Sequence, residues 1–190
     1  MTVALTTILR EKTVFNDKLV IEEGEIQSGG DTYTRLRVNR EDAVAVLLLN
    51  TDTSKVILTR QFRFAIAHKT QEPILELVAG KMDKKEGAIE TALRETEEET
   101  GYKVKKANIQ VLLSCFVTPG YSSERFIVYF ATVTDADRAS AGGGLRNEHE
   151  DIEVVEMDVQ EFVENIKGGH FKDAKTYIAG LYLLSKKMLA

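Results

Sequence analysis

Between Arg94 and Glu99 the chain packs five ionisable side chains into six residues: Arg94, Glu95, Glu97, Glu98 and Glu99. Neighbouring carboxylates on a helix repel one another, so such a crowd implies a positive partner. The surrounding residues predict a helix from Ala88 to about Glu99, ended by Gly101 in the C-cap region. At about 100° per residue, Ile89, Ala92, Leu93, Thr96 and Thr100 form one narrow stripe suited to packing on a sheet. Glu95, Glu98 and Glu99 fall at i, i+3 and i+4 on an adjacent arc and converge, while Arg94, Glu90 and Glu97 lie on the other flank. The alternative is a solvated helix laced by i,i+4 pairs. Oxygen-only donors gathered on one helix edge suit a hard cation such as Mg²⁺ or Mn²⁺.

The rest of the chain predicts a mixed sheet. Ala43 to Leu49, AVAVLLL, is an uninterrupted apolar run typical of a strand buried on both faces. Further strands are expected at Lys55–Phe62, Pro73–Ala79, Ile109–Val117, Arg125–Val133 and Ile152–Met157. Helices are expected at Val159–Ile166 and Lys172–Met188. Without βαβ regularity, this order points to a mixed sheet with helices on both faces. Ahead of it, residues 1–41 read as a β-rich segment. Leu19–Ile26 and Thr32–Val38 flank the turn Ser28-Gly29-Gly30-Asp31 as a hairpin, with Arg35, Arg37 and Arg40 upon it. A lone hairpin is marginal and needs another surface. Glu76 is out of place within the apolar run ILELVA, since a buried carboxylate must find a partner. The loop ASAGGGLRNEHED (139–151) is long for a compact domain, which marks it as functional or disordered. It offers Glu148, His149, Glu150 and Asp151.

Bulk properties narrow the partners. A net charge of −5 argues against a nucleic-acid groove, which needs a basic face. No run approaches the ~18 apolar residues of a membrane span. One cysteine, Cys115, excludes an intrachain disulfide, and its apolar surroundings predict a buried strand residue. With no charged-then-apolar start resembling a signal peptide, a cytoplasmic location is expected.

The stretch GKMDKKEGAIETALRETEEETGY (80–102) resembles the signature box of the Nudix hydrolases. That box is a Gly, five residues, a Glu, seven residues, Arg-Glu, an apolar residue, any residue, Glu-Glu, any residue, a Gly and an apolar residue. Gly80, Glu86, Arg94, Glu95, Glu98, Glu99, Gly101 and Tyr102 match in register; Thr96 stands where an aliphatic residue is usual. The resemblance implies an α/β/α sandwich with a mixed sheet, here carrying an N-terminal β-hairpin appendage (1–41) ahead of the hydrolase domain (42–190). It also implies Mg²⁺-dependent hydrolysis of a pyrophosphate bond, with Mn²⁺ able to substitute. Glu95, Glu99 and the Ala79 carbonyl would be the principal metal ligands and Glu98 a shared one. Gly80 would let the backbone approach, and the Arg94 fork would steady a neighbouring carboxylate. Glu150, from the loop, would be the general base or a further metal ligand.

Two further elements narrow the resemblance. TPGYSSE, with Pro119 17 residues past the box, and ELVAGKMD leading into it are similar to the ADP-ribose and sugar-nucleotide pyrophosphatase branch. GGG…EDIEV followed by IKGGHFKDAKT is similar to the bacterial GDP-mannose hydrolase subgroup. That implies substrate contacts from Arg63, Glu124 and Lys175, with Arg35 or Arg37 reaching a phosphate or base, and a homodimer joined through the N-terminal segment. No nucleic-acid or membrane partner is expected. Other activities compatible with the box are a house-cleaning nucleoside triphosphate pyrophosphatase and a non-catalytic nucleotide sensor.

Overall fold

The computed structural model describes residues 5–82, 85–145 and 150–188, which form two compact units. Of the ionisable residues in the loop, Glu148 and His149 lie outside the described residues.

The larger unit is built on the apolar run AVAVLLL. It becomes β4 (Ala43–Asn50), buried along nearly its whole length. Around it lie β5 (Lys55–Gln61), β6 (Ile74–Glu76), β7 (Val78–Lys81), β8 (Ile109–Phe116), β9 (Arg125–Val133) and β10 (Glu153–Asp158). They form one seven-stranded sheet in the order β10-β5-β4-β9-β8, with β6 paired to β5 and β7 to β4. β4 runs parallel to β9 and antiparallel to β5 and β7, so the sheet is mixed as expected. The anticipated single strand over Pro73–Ala79 is instead two, broken at Leu77, because its first part pairs with β5 and its second with β4.

Alternation along β4 assigns its two faces. Val44, Val46 and Leu48 join Ile57, Val78, Ala131 and Val133 in a core that also takes Ala92 from α1 (Ala88–Thr100). The intervening Ala43, Ala45 and Leu47 are buried too, so the opposite face is also covered. α2 (Val159–Gly168) and α3 (Ala174–Ser185) pack together through Phe162, Phe171 and Tyr177. α3 starts two residues later than the sequence suggests. Asp173 caps it, its carboxylate accepting from the Thr176 N–H at 3.0 Å and the Thr176 hydroxyl at 2.8 Å. Gly101 closes α1 in the left-handed conformation, φ 79°.

Cys115 departs from expectation. β8 is the last strand in the sheet order, so one side of it meets solvent, and Cys115 is half-buried rather than buried. Among the described residues no helix is long and apolar enough to cross a membrane.

The smaller unit holds the chain up to Asp42 together with Phe116–Arg125. The hairpin read from the sequence is present as β2 (Val20–Ser28) and β3 (Asp31–Asn39), turned at Ser28–Asp31. A strand not anticipated, β1 (Thr6–Asn16), pairs antiparallel with β2 to make a three-stranded sheet. The TPGYSSE loop belongs to this unit because it bonds to β3. The Val38 N–H donates to the Tyr121 carbonyl at 2.7 Å, and the Ser123 N–H to the Val38 carbonyl at 3.1 Å.

Candidate active site

Three backbone segments of the larger unit meet around the acid-rich helix. The first is α1 itself. Its stripe packs as expected: Ala92, Thr96 and Thr100 are fully buried, and the Thr96 and Thr100 hydroxyls donate to the carbonyls one turn back. Thr96 therefore fills the usual aliphatic position by hiding its hydroxyl in the helix. The second segment is β7. Its Ala79 N–H donates to Glu99 Oε2 at 3.3 Å. A Cβ added at Gly80 would stand 1.9 Å from Glu95 Cδ, so only glycine lets this carboxylate lie against the strand.

The third segment is the glycine loop. The N–H groups of Gly143 and Gly144 donate to the carbonyls of Glu99 and Glu98, at 2.8 and 3.1 Å. The loop thus satisfies carbonyls that the end of α1 leaves unpaired. This docking fixes Glu150, whose Oε2 accepts from the Leu145 N–H at 3.0 Å. Among the described residues its other oxygen takes no hydrogen bond.

Charge in this cluster is unbalanced. Glu99 is 2% exposed. Burial pushes its carboxyl up to about 8; the charges of Glu95 and Glu150 add to this, while the Ala79 N–H and the Arg63 charge oppose it. Burial also raises Glu95, opposed by Arg94 and assisted by Glu98 and Glu150. Glu95, Glu99 and Glu150 therefore feel one another's charge. Glu97 and Glu90 do not share the site and pair with Lys103 and Lys106.

Arg94 departs from the helical-wheel expectation that set it on the far flank. Its guanidinium bridges Glu86 (3.1 Å), Glu95 (3.0 Å) and Glu98 (2.9 Å), because a long side chain can reach back over the helix surface. Burial works against the cation, but the Glu86 hydrogen bond and the three carboxylate charges outweigh it and hold its pKa up. Glu86, which carried no assigned role in the sequence reading, is thus an anchor of Arg94. Among the described residues no three His, Cys, Asp or Glu side chains are gathered as a ready-made metal site. The donor chemistry nonetheless fits a hard divalent ion: all-oxygen groups, crowded, partly buried and carrying more negative charge than Arg94 balances.

A pH dependence follows. Glu99 has a folded pKa of about 8 against 4.5 for the unfolded group. Between those values the native state binds the extra proton, so the metal-free fold loses stability as pH rises from 4.5 to 8. The Tm of chelator-treated protein should fall over that range, and the fall should be smaller in Glu99→Gln. An identical profile in the two proteins would contradict it.

The remaining predicted contacts fall in two groups. In the larger unit, Arg63 Nε donates to Glu76 Oε2 at 2.6 Å, and Lys175 Nζ lies 2.6 Å from Asp173 Oδ1 and 3.5 Å from Glu76 Oε1. In the smaller unit, Arg35 lies 4.5 Å from the Tyr33 ring centroid, Arg37 bridges Glu22 and Glu11, and Glu124 accepts from Arg40 at 2.8 Å. Arg35 and Arg37 line a cavity of about 420 Å³ with Tyr121 and Ser123.

The NUDIX domain model matches residues 39–179. The chain belongs to the Nudix family. It is 31% identical over 191 residues to the GDP-mannose pyrophosphatase of Citrobacter koseri, covering 96% of this chain and 97% of that one. It is 33% identical over 172 residues to the methanol dehydrogenase activator of Bacillus methanolicus, covering 90% and 87% of the two chains. A crystal structure of an ADP compounds hydrolase superposes with a TM-score of 0.79 at 20% identity, covering 99% of this chain and 96% of that one, a likeness of fold. The Nudix box expected from the sequence therefore sits in a Nudix fold, and this chain is a Nudix hydrolase.

Proposed function

We propose that this Nudix hydrolase cleaves the pyrophosphate of a nucleoside diphosphate sugar, of GDP-mannose or ADP-ribose type, in a Mg²⁺-dependent reaction. The products are a nucleoside monophosphate and a sugar phosphate. The observation that supports the reading is the docking of the glycine loop on the carbonyls of Glu98 and Glu99, because it ties the segment that carries Glu150 to the end of the box helix. A relative named as a GDP-mannose pyrophosphatase, matched over 96% of this chain, supports the substrate class.

Glu95, Glu98, Glu99 and the Ala79 carbonyl would hold the metal. A bound Mg²⁺ supplies charge neutralisation of the pyrophosphate and a more acidic water. Arg94 keeps the box carboxylates oriented. Glu150 accepts the proton of the attacking water through its unbonded oxygen. Water oxygen bonds to one phosphorus, the bridging P–O bond breaks, and the leaving phosphate takes up the negative charge. Arg63 is a substrate contact. Arg35, Arg37 and Glu124 belong to the smaller unit, and their role is recognition of the nucleotide.

The deciding test is a panel of ADP-ribose, GDP-mannose, ADP-glucose, UDP-glucose and nucleoside triphosphates with Mg²⁺, following phosphomonoester formation. One or more sugar nucleotides should be turned over best. Preference for a triphosphate would move the enzyme to the house-cleaning class, and binding without turnover would make it a sensor.

The same reading includes a homodimer through the N-terminal segment. Ile8, Leu9, Val14, Phe15 and Leu36 are exposed on a three-stranded sheet, an apolar area that invites a partner. Light scattering should give twice the chain mass; a monomer at micromolar concentration would exclude it.

A further inference from the structure

Glu76 is the carboxylate that the apolar strand least explains. It is 4% exposed, at the end of β6. A charge buried to this degree is costly, and an apolar residue of similar size serves packing as well or better. Its strongest partner, Arg63, has a side chain 39% exposed, and half-exposed ion pairs contribute little to stability. The arrangement is nevertheless specific. Each oxygen has its own cation: Oε1 faces Lys175 Nζ at 3.5 Å, and Oε2 takes Arg63 Nε at 2.6 Å. Lys175 is itself fixed, its side chain 12% exposed, its ammonium on Asp173 and 5.3 Å from the Phe126 ring centroid. Asp173 is the N-cap of α3. A line of polar contacts therefore runs from the helix cap through Lys175 and Glu76 to Arg63.

Only the Nε edge of Arg63 is engaged among the described residues. Glu76 lies three residues before Ala79, on the segment that also touches Glu99. We propose that Glu76 is a positioning residue: held by Lys175, it grips Arg63 by Nε and leaves the Nη edge to bind a diphosphate oxygen beside the box carboxylates. The inference rests on the reading above for its ligand, a diphosphate.

The test is a double-mutant cycle read by calorimetric binding of methylenediphosphonate, whose P–C–P bridge cannot be hydrolysed, in the presence of Mg²⁺. Glu76→Gln keeps the volume and should weaken binding about tenfold, the loss of one well-oriented charge-assisted contact. Arg63→Ala should weaken it by a similar factor. The double variant should be no weaker than Arg63→Ala alone, and Glu76→Asp should recover part of the loss. Unchanged affinity in Glu76→Gln, losses that multiply, or no binding to the unmodified enzyme would each overturn the inference. A fall in Tm with affinity intact would show a merely structural Glu76. Should Glu76→Gln fail to fold, Glu76→Asp carries the cycle. Failure of the cycle in an enzyme that turns over sugar nucleotides sinks this inference alone. Failure of the turnover panel sinks the functional reading, and the diphosphonate cycle still decides this one.

Discussion

Glu99→Gln should lower turnover of the preferred sugar nucleotide by roughly 10²–10³-fold while making the metal-free protein more stable above pH 8. Opposite signs arise because one side chain answers to two demands. Folding buries Glu99 in a place where its charge is unwelcome, next to Glu95 and Glu150. An amide of the same shape keeps the acceptor for the Ala79 N–H and removes the charge. Catalysis needs the charge that folding resists, since a neutral oxygen is a poor ligand for a hard cation. Steady-state kinetics beside thermal melts of chelator-treated protein at pH 9 check both halves. Unchanged turnover would remove Glu99 from the metal assignment. A fall in Tm at pH 9 would show that burial is not what raises its pKa.

The second large effect is expected at Gly142→Val. Gly142 has φ +70°, and a Cβ there would lie 2.5 Å from both the Glu99 carbonyl oxygen and the Thr100 carbonyl carbon. These are backbone atoms, so no side-chain rotation relieves the contact, and a β-branched residue is doubly unsuited to that φ. The loop would lift from the end of α1 and carry Glu150 with it. We expect a loss of about 2–4 kcal/mol of stability and roughly a 10²-fold fall in kcat from a misplaced base. Glu150→Gln is the companion: similar damage to kcat with the Tm nearly kept. Gly120→Ala is the stability control, since nothing lies within 4 Å of the added Cβ and Tm should hold. Full activity in Gly142→Val would mean that the docked glycine loop does not set the site.

Much of this was legible in the sequence because it depends on short-range periodicity. The helix follows from its spacing and ends at the glycine that the pattern marks, whereas the convergence of Glu95, Glu98 and Glu99 expected from that spacing does not appear as a gathered trio among the described residues. β9 spans Arg125–Val133 as its alternation indicates, and the apolar run at Ala43 is the central strand. What was not legible depends on where long side chains go and on which segments meet. Arg94 pairs with Glu98 one turn on, as helix spacing allows, but it also spans to Glu95 and to Glu86 outside the helix, which a helical wheel of Cβ directions cannot express. Glu76 visibly needed a partner, but its cations come from 13 residues before it and 99 residues after it. β1 was missed because its side chains are exposed throughout, so no buried face imprints itself on the sequence. The sequence predicts a buried Cys115 because an apolar stretch reads alike in a central strand and in a terminal one, and β8 is terminal.

The parallel pairing of β4 with β9 has a consequence for how the molecule comes to exist. Ala43 is matched with Phe126 and Asn50 with Val133, so the central strand of the sheet waits more than eighty residues for one of its neighbours. β5 in turn waits for β10, which ends at Asp158. During synthesis at ~5–20 residues per second, the run AVAVLLL emerges several seconds before it can be covered on both edges. Pairings of such sequence separation also make folding slow. The nascent chain is therefore most exposed to misassociation at the same strand that later makes the interior most secure.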